Sequence, residues 1–230
     1  MLPTFVCIGG QKTGTTWLYH KLIPHPDVFL PATKELNFFY RDLPRPWYEQ
    51  QFEGARPGQA RGDISPNYMA LPGVAERMSE LLPEARIICM LREPVSRARS
   101  QYGMATQLGN IPADTPFIEA FRHNLQFIKE RGRYTELISR FSRYYPLGEQ
   151  LLVLLYDDLL ADPHGFFRAI CRHIGVDEDY APADLADRVR ASEGGFQLSR
   201  EDEAEARAYY SSHVTALEGL LGRSLDTWRN

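Results

Sequence analysis

Phe5-Val6-Cys7-Ile8-Gly9-Gly10-Gln11-Lys12-Thr13-Gly14-Thr15-Thr16-Trp17 reads as an apolar strand, a glycine-rich turn and the start of a helix. Such a turn is built to hold a phosphate. Glycine lets the backbone approach a ligand closely, the first amides of a helix are unpaired donors, and Lys12 adds a positive charge beside them. Residue order then narrows the ligand. A nucleoside-triphosphate loop reads G-x-x-x-x-G-K-[ST], with the lysine after the last glycine and a hydroxyl following it for magnesium. Here Lys12 precedes Gly14, the hydroxyls of Thr13, Thr15 and Thr16 can still bond an anion, and nothing marks a metal site. Glycine and threonine at a strand-to-helix turn also serve geometry and capping alone, so the string gains meaning only from a second site.

Outward from this turn the chain alternates strand and helix, which predicts an α/β fold with a central, mostly parallel sheet flanked by helices. Helices are expected over Thr15 to Leu22, Pro44 to Gln51, Val74 to Leu82, Pro94 to about Gln107, Phe117 to Lys129, Tyr134 to Tyr145, Pro163 to Ile174 and Arg200 to Leu221. Arg86 to Leu91 and Leu151 to Tyr156 are continuous apolar runs of the kind buried in parallel sheets, and Val28 to Leu30 is a shorter strand. The Gly62 to Tyr68 segment ends a further strand in a turn. No repeat, low-complexity tract or linker divides residues 1–230, so a single domain is expected.

With 230 residues, 43% of them hydrophobic, the chain can bury a sizeable core. Cys7, Cys89 and Cys171 lie far apart, which fits buried thiols in a reducing compartment better than a disulfide framework or a zinc site. No apolar run approaches the roughly 20 residues of a membrane span, and the N-terminus lacks a secretory pattern, so a cytoplasmic protein is expected. A net charge of -4 offers no broad footprint for nucleic acid. Any anion bound is small and locally held.

A second anion site lies in Leu91-Arg92-Glu93-Pro94-Val95-Ser96-Arg97-Ala98-Arg99-Ser100-Gln101-Tyr102. Arg92 leaves the end of a buried strand, where ligands of open α/β sheets bind, and Ser100 follows two turns along the next helix. Three arginines in so short a span also suit a solvated helix face.

Taken together, the Lys12 turn and the R-x-P-x-x-R-x-x-S segment resemble the two halves of the nucleotide signature of sulfotransferases that use 3′-phosphoadenosine 5′-phosphosulfate (PAPS). The resemblance runs along most of the chain and includes His25-Pro26-Asp27-Val28, Leu151 to Leu159 and Leu220 to Trp228. Within that superfamily, Lys34-Glu35-Leu36-Asn37-Phe38-Phe39 resembles the K-E-x-x-F-F segment of the heparan sulfate and glycosaminoglycan branch and its bacterial relatives. The resemblance implies a P-loop NTPase-like sulfotransferase fold, PAPS as donor, no metal, and in-line transfer to a hydroxyl or amine of a small-molecule or glycan acceptor. Carried over by position, Glu35 is the general base and Lys12 stabilises the leaving phosphate. Gln11, Lys12, Thr13, Gly14, Thr15 and Thr16 hold the 5′-phosphosulfate, and Arg92 and Ser100 hold the 3′-phosphate. His25 is implied to be structural.

Two departures stand out. The branch often carries E-K-(S/T)-P-x-Y, where this chain has Asp63-Ile64-Ser65-Pro66-Asn67-Tyr68, so Ile64 replaces a lysine and either Lys12 acts alone or a cation such as Lys34 contributes. A basic late loop is replaced by the acidic Ser192-Glu193-Gly194-Gly195-Phe196-Gln197, which disfavours a heparan-type substrate. Two other classes share the pattern: a P-loop nucleotide kinase-like enzyme, which lacks support in the G-K-[ST] order and a magnesium carboxylate, and a non-catalytic nucleotide-binding protein of the same fold. Phe38, Phe39, Tyr40, Trp47, Tyr48 and Tyr68 are candidates for either an acceptor cleft or the core.

Overall fold

The computed structural model describes residues 1–185, 187 and 197–229. In chain order the strands and α-helices of these residues are β1 (Phe5–Gly9), α1 (Thr15–Leu22), β2 (Val28–Phe29), α2 (Arg45–Gln50), β3 (Ala60–Ile64), α3 (Val74–Leu81) and β4 (Arg86–Leu91). There follow α4 (Pro94–Gln107), α5 (Phe117–Arg122), α6 (Tyr134–Ser142), β5 (Leu151–Leu155), α7 (Tyr156–Ala161), α8 (Pro163–Ile174) and α9 (Arg200–Leu221). The chain forms two compact units, residues 1–91 with 140–189, and residues 92–139 with 190–230.

The first unit holds the sheet, ordered β2-β3-β1-β4-β5 with every pairing parallel. Every residue of β1 is buried, as are Ile87 to Leu91 of β4, which is why both read as unbroken apolar runs. β1 lies between β3 and β4; the chain leaves it for β2 on one side and later passes from β3 to β4 on the other, so the strand order reverses beside its carboxyl end, a topological switch point. Phe5 pairs with Gly62, and a Cβ on Gly62 would lie 2.2 Å from the Phe5 ring, so this glycine leaves room for a cross-strand aromatic. The indole of Trp17 meets Phe166 and Phe167 of α8 edge-on, with centroids 5.8 and 6.2 Å away, and its Nε1 donates to the Leu185 carbonyl at 3.2 Å. Each such buried aliphatic or aromatic side chain contributes about 1.5–3 kcal/mol.

Helix boundaries follow local chemistry. Asp162 caps α8 by accepting from Gly165 N, Pro163 occupies its first turn, and Gly175 ends it at φ 75°. Tyr156 belongs to a helix rather than to β5, a difference from the pattern-based expectation. The helix expected over Phe117 to Lys129 stops at Arg122. Asn124 turns left-handed there, and its side-chain oxygen accepts from the backbone N–H of Lys129 at 3.0 Å and of Glu130 at 3.1 Å, so a side chain replaces the helical acceptors. Likewise α6 ends at Ser142, short of Tyr145.

In the second unit, α4 packs against α5 and α9. Arg97 on α4 is fully buried, donating from Nη1 to Gln101 Oε1 at 2.5 Å and from Nη2 to the Ile128 carbonyl. Gln101 Nε2 donates in turn to the Gln126 carbonyl at 2.7 Å. The arginine run is therefore not simply a solvated face. No helix among the described residues is long and apolar enough to cross a membrane.

His173, near the end of α8, donates from Nε2 to the Ile87 carbonyl at 3.1 Å, and burial lowers its pKa from 6.5. The unfolded chain thus binds the proton more readily, so this group's contribution is full above about pH 6.5 and shrinks as pH falls toward the lowered folded value. Urea midpoints at pH 7.5 and 5.5 should show wild type losing more stability than His173→Gln over that interval. Equal losses would contradict the burial of a neutral imidazole.

Candidate active site

At the carboxyl end of β1 the chain turns through Gly9 at φ 116°, Lys12 at φ 65° and Gly14 at φ 98° before α1 begins. Gly9 has no alternative: a Cβ there would sit 2.3 Å from the Pro66 carbonyl oxygen. Gly10 N donates to the Met90 carbonyl at 2.6 Å, tying the turn to β4. Thr13 is fully buried and its hydroxyl donates to the Gly10 carbonyl at 2.5 Å, so its side chain braces the turn from within. Thr15 is buried, Thr16 exposed, and Gln11 and Lys12 are half-buried. No side chain caps α1, whose N-cap is Gly14, so no side-chain acceptor at the cap competes for its first amides.

The turn after β3 supports this cradle. Gln11 Nε2 donates to Asn67 Oδ1 at 2.5 Å, and Asn67 Nδ2 reaches the Tyr40 hydroxyl at 3.4 Å. On its other side the Ser65 hydroxyl oxygen accepts from the backbone N–H of Asn37 at 3.1 Å, which fixes the turn carrying Glu35. Glu35 (φ 66°) and Asn37 (φ 57°) are both left-handed without being glycine. Strain of this kind persists only where the surroundings hold it. The Glu35 side chain is 34% exposed and its Oε1 accepts from Lys34 Nζ at 2.6 Å. The charge of Lys34 acts on the Cys7 thiol, which burial raises to about 12, and that of Glu35 acts on the Asp63 carboxyl.

Behind the Glu35 turn lies Asp63, which the sequence reading passed over. Its Oδ2 accepts from the hydroxyls of Tyr48 at 2.9 Å and Tyr68 at 2.8 Å, and its Oδ1 from Ser65 Oγ at 2.6 Å. Burial raises its pKa from 3.8, against the lowering by those three hydrogen bonds. Its signal in the sequence is its place at the acidic position of the E-K-(S/T)-P-x-Y segment, where this chain has Asp63-Ile64-Ser65-Pro66-Asn67-Tyr68.

Of the aromatics proposed for a cleft, Phe39, Tyr48 and Tyr68 are core residues. Phe38, Phe39 and Tyr40 nevertheless line a groove of about 480 Å³ with Arg41, Asp42, Arg77 and Glu80, two charges of each sign. His25 is buried and structural, its Nε2 donating to the Asp177 carbonyl at 2.9 Å while Nδ1 accepts from Asp27 N at 3.1 Å.

Arg92 and Ser100 belong to the second unit, where both are half-buried. The Tyr134 hydroxyl donates to the Arg92 carbonyl at 2.7 Å, and Glu93 caps α4 by accepting from Val95 N and Ser96 N at 2.9 and 2.6 Å. Residues 192–196 of the acidic late loop lie outside the described residues. Among the described residues no three His, Cys, Asp or Glu side chains gather as a metal site would require.

Comparison with known proteins places this geometry. A sequence model described as the sulfotransferase family matches residues 62–180, just over half of the chain, and the chain belongs to that family. The matched span contains Asp63, Arg92 and Ser100, while the glycine turn after β1 and Glu35 precede it. Heparan sulfate glucosamine 3-O-sulfotransferase 3B1 of Mus musculus is 29% identical over 186 residues, covering 76% of this chain and 46% of that protein. The chain spans less than half the length of the curated relatives it matches. A crystal structure of a sulfotransferase from Alicyclobacillus acidocaldarius covers 100% of both chains with a TM-score of 0.88 at 27% identity. Mouse sulfotransferase SULT7A1, solved in complex with PAP, shares the fold with a TM-score of 0.62 at 14% identity, covering 99% of this chain and 86% of its own. The parallel sheet and its flanking helices are thus the P-loop-like sulfotransferase fold.

Because Gly9 combines a left-handed φ with a 2.3 Å approach, Gly9→Ala should lower stability by about 1–3 kcal/mol, read from urea denaturation. Unchanged stability would mean that the two strand ends do not meet as described.

Proposed function

We propose that this chain transfers a sulfuryl group from PAPS to a hydroxyl or amine of an acceptor. Family membership supports sulfuryl transfer, and the PAP bound to the mouse neighbour supports the donor. One observation carries the reading furthest: the Ser65–Tyr68 turn anchors the phosphate cradle through Asn67 and Gln11, and the Glu35 turn through Ser65 and Asn37. A phosphate-binding element and a carboxylate are thereby held by the same short segment.

The cradle fits a 5′-phosphosulfate, with two left-handed glycines, an uncapped helix start and Lys12 beside it. Gln11, Gly14, Thr15 and Thr16 are assigned to that group, with Thr13 bracing the turn, and Arg92 and Ser100 to the 3′-phosphate. When bound, PAPS supplies the electrophilic sulfur and a phosphate leaving group. Glu35 takes the proton of the attacking hydroxyl, and Lys12 stabilises the charge gathering on the leaving oxygen. Lys34, bonded to Glu35, keeps a positive charge beside the base where Ile64 provides none.

For the acceptor, the balanced charges of the Phe38–Tyr40 groove favour a small molecule or glycan of low charge over a long polyanion. A cytoplasmic setting accords with three buried cysteines, none of them in a disulfide.

Glu35→Gln should bind PAP as wild type does yet lose roughly 10²–10⁴-fold in turnover. Full activity in a PAPS transfer assay would remove Glu35 from the mechanism. Arg92→Ala should weaken PAP binding by about 1.5–3 kcal/mol in calorimetry, and unchanged affinity would contradict its role.

A further inference from the structure

Asp63 is 1% exposed, and among the described residues its hydrogen-bond donors are three neutral hydroxyls rather than a cation. Each of the three leads into the Glu35 turn. The Ser65 hydroxyl has a single proton, and because its oxygen accepts from Asn37 N–H, that proton goes to Asp63 Oδ1. This makes a directed chain from the Asn37 amide through Ser65 to the carboxylate, each bond polarising the next. The Tyr48 ring, held by its hydroxyl, stacks on Phe38 with centroids 4.1 Å apart and planes 3° from parallel. The Tyr68 ring, held the same way, meets Phe39 edge-on at 5.4 Å and Tyr40 at 6.1 Å. An ionised Asp63 gives all three hydroxyls an acceptor, whereas a protonated one would have to donate to one of them and leave that hydroxyl's own proton without its place.

We propose that Asp63 is the positioning residue for Glu35: through Ser65, Tyr48 and Tyr68 it holds the Lys34–Tyr40 turn in the left-handed conformation that presents the Glu35 carboxylate. The role rests on the assignment of Glu35 as base. Asp63 does not touch the reacting groups. It acts through three hydroxyls on the backbone and rings that flank Glu35, and it sets where that side chain stands.

The test has two arms. Hydrogen–deuterium exchange compares wild type with Asp63→Asn and with Ser65→Ala, which removes the link to Asn37 together with one of the three hydrogen bonds to Asp63. Exchange within residues 35–40 should rise at least tenfold in both variants while β1 and α8 remain protected; unchanged exchange in Ser65→Ala would overturn the proposal even where Asp63→Asn fails to fold. Kinetics with PAPS then compares each variant in the wild-type and Glu35→Gln backgrounds. Turnover should fall roughly 10²-fold in the first, as a misplacement of about 1 Å can produce, with PAP affinity kept within twofold. In the Glu35→Gln background the same substitution should have little further effect. An equal loss in both backgrounds would show that Asp63 does not act through Glu35 and would overturn the proposal. Absence of turnover in wild type would instead sink the Glu35 assignment, leaving the exchange arm to decide whether Asp63 holds the turn.

Discussion

The Pro66 carbonyl occupies the space where a side chain on Gly9 would stand, and much of the candidate site follows from that approach. Parallel pairing of β1 with β3, Val6 beside Asp63 and Cys7 beside Ile64, brings both strands to their carboxyl ends at the same level. The chain leaving β3 must then cross the turn leaving β1. Glycine permits the contact, and once it is made Asn67 meets Gln11 while Ser65 faces the Asn37 amide. One steric allowance thus couples an anion cradle to a turn bearing a carboxylate.

Around that crossing the polar groups are arranged against the usual preference of a core. Removing a carboxyl group from water without a cation partner is unfavourable, and the upward shift of Asp63 records it. Three hydroxyl donors offset part of the penalty. In exchange the network is directional, which apolar packing is not: a hydroxyl with one proton and a fixed acceptor specifies a single arrangement of Ser65 and Asn37. Arg97 is a counterpart in the second unit, a buried guanidinium held by a glutamine side chain and a backbone carbonyl, and it fixes the segment where α5 has ended and Asn124 reverses the chain.

These two buried polar centres also separate support from chemistry. The residues proposed for the donor and the acceptor proton, Lys12, Glu35, Arg92 and Ser100, are partly accessible. The residues that hold the Glu35 turn, Asp63, Ser65, Tyr48 and Tyr68, are buried. Ile64, where a lysine was expected from the resemblance, is also buried in β3, and the positive charge beside Glu35 comes from its own neighbour in the chain.

What the sequence determined by itself was local. The strand, turn and helix of residues 5–22, the apolar runs of β4 and β5 (the latter an edge strand with Leu152 and Val153 half-buried), the proline starts of α4 and α8, and the glycine that ends α8 all depend on neighbouring residues and the periods of regular structure. The proposed roles of Lys12 and Arg92 likewise rest on local order, on their place after an apolar run. Only the tertiary structure decided the rest. It buried Arg97 and moved Tyr48 and Tyr68 from a supposed cleft into the shell of Asp63. Each of these depends on which distant segments meet, and hydrogen bonds between residues as far apart as Asn37 and Ser65 leave no periodic trace in either segment.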